Sequence, residues 1–453
     1  MGATETASTV LMVSPDPYLI RACERLGVDA VVIYGQNLAD AGVVSLPAHM
    51  SGVFAEDYKN PEAVLAALLR RGLLDRRYDA VIAGAEFGIP LSALLAAFLG
   101  CRGLSVEVAI RYRDKALQKR LVRAAGVPTA DCVVIDDIQH FEKLPDLIGS
   151  PMVLKPIAGV GTMLTSVVTT AAELQAAARR IAATTDSRTF LLETFTEGDE
   201  VIVDGLVRDG DLVFHSMGYY PEPCLAVVER QASMTYGRFD PVLDKDLFEE
   251  GAALATRVTG ALGLVDGVFH LEAFRRSDGG PLVFGECAAR RGAAMIFEEI
   301  LWKFNVDIAE EGLRAALGWP PRLDVKVRPG AIGTTNLNAP PGVLFSCPSV
   351  ADILTRPGAI YARIEYPLGA MIADRIRDAA SRLGQVLVTA DDPDQLAGRF
   401  ADIRDWFGER LVVAPAKVPA RVLRAWQRGA WPDSMLGDEQ LFDPDATARE
   451  ESE

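Results

Sequence analysis

Residues 267–290 read Gly-Val-Phe-His-Leu-Glu-Ala-Phe-Arg-Arg-Ser-Asp-Gly-Gly-Pro-Leu-Val-Phe-Gly-Glu-Cys-Ala-Ala-Arg. Two apolar runs flank Asp278-Gly279-Gly280, residues that accept positive φ, so the pattern predicts a β-hairpin. Glu272 and Glu286 stand on its two strands. The segment therefore predicts that two carboxylates project from one face of a sheet.

Paired carboxylates of this kind suit Mg²⁺, which prefers hard oxygen ligands and keeps coordination positions open for nucleotide phosphates. A magnesium–nucleotide site is one interpretation of the hairpin. A hairpin that carries two solvated surface acids is the other, and the hairpin alone does not decide between them.

The first part of the chain alternates between strand and helix patterns. Short β-rich runs cover residues 9–14, 29–34 and 78–83, and a helical pattern covers residues 18–26. This alternation predicts a parallel sheet within residues 1 to about 110. The third run ends at Gly84-Ala85-Glu86-Phe87-Gly88 before a helix over 91–99, a junction at which α/β sheets bind ligands. Glu86 is a candidate substrate contact, and a helix-capping acid is the alternative.

Lysines mark the next segment. A helix from Arg113 to a C-cap at Gly126 carries Lys115 on what we expect to be a basic, exposed face. Lys155 then ends an apolar strand, followed by the loop Ile-Ala-Gly-Val-Gly-Thr, residues 157–162. Backbone N–H groups of a glycine-rich loop can approach phosphate oxygens. A hairpin turn beside a strand-end lysine is the alternative.

The order of these features resembles the ATP-grasp superfamily from about residue 110 to 300. The sequence has Asp-Lys before a helix, strand-Lys-Pro with a glycine loop, Leu-Glu193-Thr-Phe195 with Gly-Asp-Glu200, and then the two-carboxylate hairpin. The resemblance implies a mixed α/β and α+β chain: a Rossmann-like pre-grasp domain (1–110), an ATP-grasp domain (111–328) and a C-terminal lid subdomain (329–430). The tail, residues 431–453, is acidic and aperiodic, which predicts that it is disordered or loosely docked.

The resemblance also implies roles for individual residues, with ATP and Mg²⁺ as cofactors and Mn²⁺ as an alternative ion. Glu272 and Glu286 would bind the metal, and Arg290 would hold the transferred phosphate and the developing oxyanion. The residues implied to contact ATP are Lys115 and Lys155 on the phosphates, Gly159, Gly161 and Thr162 in the loop above them, Glu193 and Phe195 at the adenine, and Glu200 at the ribose.

One position departs from the superfamily pattern. Where many members continue the second metal ligand as Glu-x-Asn-x-Arg, this chain has Ala288, which cannot ligate a metal and puts a second Mg²⁺ in question. Glu-x-Ala-Ala-Arg, with His-x-Glu on the preceding strand, is similar to the bacilysin-type L-amino acid ligases. In that subgroup a bulky residue limits the pocket for the N-terminal amino acid, and the small Ala294 at that position predicts a roomier pocket.

The resemblance thus implies an ATP-dependent carboxylate–amine ligase that works through an acyl phosphate, releases ADP and phosphate, and makes a dipeptide or amino acid amide in specialised metabolism. The alternatives are a ligase for a non-amino-acid or carrier-bound carboxylate and a nucleotide-binding protein without turnover. Further candidate substrate contacts are His270, which shares a strand face with Glu272, and Glu229 and Arg230 in the segment 219–241.

Composition excludes other classes of function. The formal charge of −16 argues against a nucleic-acid partner, which would require clustered Lys and Arg. Apolar runs are too short to cross a bilayer and no signal peptide is visible, so we expect a cytoplasmic protein without a membrane partner. Six scattered cysteines lack metal-binding spacing. The expected partners are small carboxylates and amines, and a homodimer is an expectation from the resemblance.

Overall fold

The computed structural model describes residues 8–36, 46–146, 148–372, 382–414 and 441–442. Within these ranges, no helix combines the length and the hydropathy that crossing a bilayer would require. The described residues form an N-terminal parallel sheet, a small antiparallel sheet, a large antiparallel sheet and a short three-stranded sheet.

The N-terminal unit is built on parallel strands in the order β3-β2-β1-β4, which confirms the sheet predicted from alternation. Because parallel strands share their carboxyl ends, Ser14 and the segment 84–86 meet at one edge. Asp16 caps the first helix by accepting from the Leu19 N–H. The elements are β1 (Thr9–Val13), α1 (Pro17–Leu26), β2 (Asp29–Tyr34), β3 (Ser51–Phe54), α2 (Pro61–Arg70), β4 (Ala80–Ala83) and α3 (Ile89–Leu99).

A small lobe follows, with antiparallel strands in the order β5-β8-β6-β7. Lys155 stands near the end of β6, and residues 157–165 connect β6 to its partner β7. The hairpin alternative for this lysine is therefore correct as a description of the backbone, and it leaves a phosphate-binding role open. The elements are α4 (Val106–Arg111), α5 (Lys115–Ala124), β5 (Cys132–Ile135), β6 (Met152–Pro156), β7 (Ser166–Val168), α6 (Ala171–Ala182) and β8 (Phe190–Thr194).

The large sheet carries the predicted hairpin at one edge, in the order β13-β12-β9-β10-β11-β14-β18-β16. Val203 and Phe269, which share one face of this sheet, are fully buried in the largest core of the described residues, and Leu206 is fully buried on the opposite face. The elements up to residue 317 are β9 (Asp199–Arg208), β10 (Asp211–Tyr219), α7 (Cys224–Glu229), β11 (Thr235–Arg238), α8 (Lys245–Leu262), β12 (Gly267–Arg275), β13 (Val283–Ala288), α9 (Ile296–Phe304) and α10 (Ile308–Leu317).

Residues beyond 329, which the resemblance implied to be a lid subdomain, contribute β14, β16 and β18 to this same sheet. The remaining strands form the short sheet β17-β15-β19. These elements are β14 (Ala331–Leu337), β15 (Gly342–Ser346), α11 (Val350–Leu354), β16 (Ala359–Ile364), β17 (Met371–Ile372), β18 (Gly384–Ala390), α12 (Pro393–Arg410) and β19 (Val412–Ala414).

Most of the predicted acidic tail, residues 431–453, lies outside the described residues, but Leu441 and Phe442 are buried. The Phe442 ring lies 5.4 Å from the Tyr361 ring, and the Phe442 carbonyl accepts from Arg21 Nη1 at 2.9 Å. Of the two alternatives predicted for the tail, docking describes these two residues, because apolar side chains in an acidic segment can still pack into a core. They connect α1 to the edge of the large sheet.

We expect Phe442→Ala to lower the free energy of unfolding by about 3–5 kcal/mol, the usual cost of removing a buried aromatic ring. The matched control is Leu243→Ala, whose side chain is 82% exposed and should change stability by less than about 0.5 kcal/mol. Urea unfolding followed by fluorescence measures both. Equal effects of the two substitutions would contradict docking of Phe442.

Candidate active site

The two hairpin acids face each other, as predicted. Glu272 and Glu286 are directly opposed in the pairing of β12 with β13. The register shifts immediately afterwards, at Gly285, where a β-carbon would lie 2.9 Å from the Glu272 carbonyl oxygen. This bulge requires glycine and turns the strand next to the acids. The hairpin thus brings both carboxylates to one face of the large sheet.

Glu286 is met by two lysines. Its Oε2 lies 3.0 Å from Lys115 Nζ and 3.9 Å from Lys155 Nζ. Burial alone would raise the pKa of Glu286, but the lysines outweigh it and lower that pKa to about 2. Glu286 therefore stays ionised over the whole physiological range.

Glu193 continues the same chain of charges. Its carboxylate lies 2.7 Å from Lys155 Nζ and 3.0 Å from Lys119 Nζ. Burial opposes ionisation, yet both lysines hold the pKa of Glu193 below its usual value. The expectation that this side chain reads adenine meets a physical obstacle, since its oxygens are already engaged by two buried cations.

Lys119 is a site residue that the sequence analysis missed. Its side chain is only 1% exposed and donates to the Gly285 carbonyl at 3.1 Å. The prediction of an exposed basic face on α5 is wrong for this residue and for Lys115, because both turn inward toward carboxylates. Their spacing of four residues, which places side chains on one helix face, is the signal that could have found it.

The glycine loop contacts the start of α5. Lys115 Nζ donates to the Gly159 carbonyl at 3.2 Å, and Arg113 donates to the Ala158 carbonyl. Gly161 has φ +57°, a conformation that favours glycine. The loop that holds Gly159, Gly161 and Thr162 therefore lies beside the lysines, as the resemblance implied.

Glu200 brings a third carboxylate to the same face. It lies two residues from Ile202, the β9 partner of Glu272. Burial and the neighbouring Glu272 raise the pKa of Glu200 to about 7. Its Oε2 accepts from the Cys224 N–H at 2.8 Å.

These acids fit a magnesium ion whose coordination shell is completed by phosphate oxygens. They fit less well an ion that is coordinated by the protein alone. Their donors are hard oxygens, as Mg²⁺ prefers. Among the described residues, no three His, Cys, Asp or Glu side chains are placed to hold a metal ion by themselves. Ala288, paired with His270 in the sheet, adds no ligand.

His270 belongs to a buried polar network behind the acids. Its Nδ1 lies 2.7 Å from Asp204 Oδ1, and its Nε2 lies 3.6 Å from Glu272 Oε1. Asp204 also accepts from Arg238 Nη1 at 2.8 Å, and Arg238 Nε donates to Glu299 at 2.8 Å. Asp204, Arg238 and Glu299 were not foreseen, although sheet register places Asp204 directly opposite His270.

The network sets the charge of the histidine. Burial works to lower the pKa of His270, but the Asp204 carboxylate outweighs it and raises that pKa to about 9. His270 is therefore a cation at neutral pH. A charged imidazole beside Glu272 can hold that carboxylate in place.

Arg290 reaches the N-terminal unit. Its Nε and Nη2 lie 2.9 Å and 2.6 Å from Glu86 Oε2, and Arg113 pairs with the other oxygen of Glu86. Burial opposes ionisation of Glu86, but the two arginines lower its pKa. The helix-cap alternative for Glu86 is wrong. Glu86 is the first residue of a short 3₁₀ helix, Glu86–Gly88, but its carboxylate pairs with the two arginines, and neither this helix nor α3 has a side-chain cap.

The remaining candidate contacts lie away from this centre or use other groups. The Phe195 N–H donates to the Pro151 carbonyl at 3.0 Å, and the Phe195 side chain is 39% exposed. Glu229 and Arg230 are exposed, and Arg230 pairs with Glu222. Ala294 has φ +58° and packs against the core of the large sheet.

We expect the stabilisation from His270 to depend on pH. With its pKa raised from 6.5 to about 9, the imidazolium stabilises the fold fully below pH 6.5 and loses this effect as the pH rises through 9. The difference in unfolding free energy between the wild type and His270→Asn should shrink by about 3 kcal/mol from pH 6 to pH 9.5. The exposed His49→Asn is the control. A difference that does not change with pH would contradict the Asp204–His270 ion pair.

Comparison with known proteins finds a matching domain model and similar sequences. Residues 148–299 match the model of the ATP-grasp domain. The L-arginine-specific L-amino acid ligase of Bacillus subtilis is 24% identical over 328 residues, which span 71% of this chain and 78% of that protein.

Solved structures agree on the fold. The crystal structure of an L-amino acid ligase from Bacillus licheniformis superposes with a TM-score of 0.74 at 18% identity, covering 91% of this chain and all of that one. The biotin carboxylase domain dimer of the Hydrogenobacter thermophilus 2-oxoglutarate carboxylase, solved with MgADP and bicarbonate, gives 0.64 at 20% identity over 90% and 91% of the two chains. Residues 148–299 thus match an ATP-grasp domain, and the chain is similar in sequence and fold to L-amino acid ligases, the resemblance that its motifs predicted.

Proposed function

We propose that this protein is an ATP-dependent carboxylate–amine ligase that joins an amino acid, or a related carboxylic acid, to an amine and releases ADP and phosphate. The observation that carries the proposal is the facing pair Glu272 and Glu286 with Lys115 and Lys155 beside it. The similarity to amino acid ligases supports a dipeptide or amino acid amide as the product, made in specialised metabolism.

The lysines suit the phosphates of ATP. In the absence of nucleotide they neutralise Glu286 and Glu193, and phosphate oxygens can compete for the same Nζ groups. Glu200, next to the acids, is placed to accept hydrogen bonds from ribose hydroxyls, and the exposed face of Phe195 can stack on the base. Glu193 would then position the lysines and leave the adenine to other groups.

Magnesium fits the donor set of Glu272 and Glu286, and when bound it would neutralise charge on the phosphates. His270, held by Asp204, would keep Glu272 in position. The small lobe and its glycine loop would exclude water, since Gly159 already contacts Lys115.

The reaction would proceed in two steps. A carboxylate oxygen of the acyl donor attacks the γ-phosphorus, the bond to ADP breaks, and an acyl phosphate forms. The amine nitrogen then attacks the carbonyl carbon, the bond to the phosphate oxygen breaks, and the nitrogen loses a proton that the departing phosphate can accept. Lys155 and Arg290 would stabilise the negative charge of both transition states.

Arg290 must exchange partners for this role. Its Nε and Nη2 are occupied by Glu86, and its Nη1 donates to the Arg291 carbonyl at 2.8 Å. A phosphoryl or carbonyl oxygen would therefore have to share the guanidinium with Glu86. Glu86 would then act as a positioning residue that holds the arginine at the border of the N-terminal unit.

We expect release of ADP and phosphate with Mg-ATP only when an acid and an amine are supplied together, measured across pairs of free amino acids with mass detection of the coupled product. Glu286→Ala should reduce the rate at least about 100-fold, because it removes a carboxylate that would bind the Mg²⁺ ion at the reacting phosphate. Glu249→Ala, on the exposed face of α8, should leave the rate unchanged.

Phosphate release without a coupled product would contradict the ligase. If ATP bound but no pair of amino acids released phosphate, the acid would have to come from outside the amino acids, or the protein would bind nucleotide without turnover. A panel of non-amino carboxylates separates these two results.

A further inference from the structure

A cavity of about 550 Å³ lies between the N-terminal sheet, α3, α10 and the start of β12. Its lining includes Glu86 and Arg290 of the candidate active site, together with Ile89, Val268 and Gly312. The proposed function gives no role to the part beyond Arg290. Because the cavity is continuous with the reacting centre, a substrate bound there can extend into it.

Much of the cavity lining is apolar, and the charged lining residues belong to a smaller set. The apolar residues include Val81, Ile82, Ile89, Leu104, Val108, Leu264, Val268, Ile308 and Leu313, and the charged residues are Asp16, Glu86, Arg102, Asp266, Arg290 and Arg291. Ser92 also lines the cavity, but its hydroxyl donates to the Ile89 carbonyl at 2.8 Å and is satisfied. Such a wall favours apolar ligand groups over water, because water there would find few hydrogen-bond partners.

The volume argues for a large group. A dry cavity of about 150 Å³ already admits a benzene ring. A methyl side chain such as that of alanine would leave most of the 550 Å³ empty, with the loss of contacts that a void entails.

Gly312 keeps the cavity open. It lies in the interior of α10, where glycine costs about 1 kcal/mol of helix stability relative to alanine. A β-carbon there would lie 3.4 Å from the Val268 side chain, an ordinary contact, so neither the backbone nor crowding requires glycine. A larger side chain at position 312 would instead reduce the volume of the cavity.

We propose that this cavity receives the side chain of the acyl donor, and that the donor is a carboxylic acid with a large apolar side chain, aromatic or branched aliphatic. The inference rests on the proposed ligase function. It assigns specificity to Gly312 on α10, in addition to the position of Ala294. Ala293, next to Ala294 in the sequence, lines the cavity.

The test compares kcat/KM for phenylalanine, leucine and alanine as acyl donors, with one fixed amine, in the wild type, Gly312→Ala and Gly312→Leu. We expect the wild type to prefer phenylalanine or leucine over alanine by at least about 10-fold, the scale of discrimination that an apolar pocket supplies. Gly312→Leu should lose at least about 10-fold for phenylalanine and stay within about 2-fold for alanine. Gly312→Ala is the matched control and should change little.

Ala316→Leu, one turn further along α10 and also at the cavity, gives a second variant with the same expected loss. Retained MgADP binding shows that each variant is folded. Equal treatment of phenylalanine and alanine by the wild type, or an equal loss for both acids in Gly312→Leu, would overturn the inference while leaving the ligase intact.

A binding measurement distinguishes failure of this inference from failure of the proposed function. Calorimetric titration of phenylalanine into the protein with MgADP needs no turnover. Phenylalanine binding that Gly312→Leu abolishes would support the cavity as a binding site. If, in addition, no pair of acid and amine released phosphate, the ligase function would be rejected. Absence of phenylalanine binding in a protein that ligates alanine would reject the cavity alone.

Discussion

The candidate active site depends on a continuous chain of buried and half-buried charges, in the order Lys115, Glu286, Lys155, Glu193 and Lys119. Each neighbour lies within 4 Å, and the lysine side chains are almost fully enclosed. Taking these groups out of water costs several kcal/mol per ion, and only precise mutual placement offsets that cost. The chain therefore ties the hairpin of the large sheet to α5 and to both central strands of the small lobe. Under the proposed function, a nucleotide bound beside these lysines would meet cations already held in place.

Ion pairs between partly or fully buried groups also hold the N-terminal unit against the large sheet. Acids that follow its first and fourth strands pair with consecutive arginines after β13: Glu86 with Arg290, and Asp16 with Arg291 at 2.6 Å. The carboxyl edge of the parallel sheet is thereby fixed against the catalytic hairpin. Both ion pairs also line the cavity, so the contacts that hold the N-terminal unit in place lie at the proposed substrate space.

Local sequence was enough to predict some of this arrangement. Alternating apolar residues around Asp-Gly-Gly predicted the hairpin and the facing acids, and β/α alternation predicted the parallel sheet. The bulge at Gly285 and the inward turn of Lys119 depend on partners far along the chain and were missed. The Asp204–His270–Arg238–Glu299 network joins four separate elements, and residue type alone does not reveal such contacts. Leu441 and Phe442 were missed because their segment is acidic overall.

The most direct test of the proposed acyl-phosphate route follows the carboxylate oxygen atoms of the acyl donor. Acyl donors labelled with ¹⁸O in the carboxylate are incubated with Mg-ATP and an amine, and the released phosphate is analysed by mass spectrometry. Attack of the carboxylate on the γ-phosphorus predicts one ¹⁸O in the phosphate for each amide formed. Amide formation with unlabelled phosphate would contradict the acyl-phosphate route, and with it the role proposed for the facing carboxylates and their lysines.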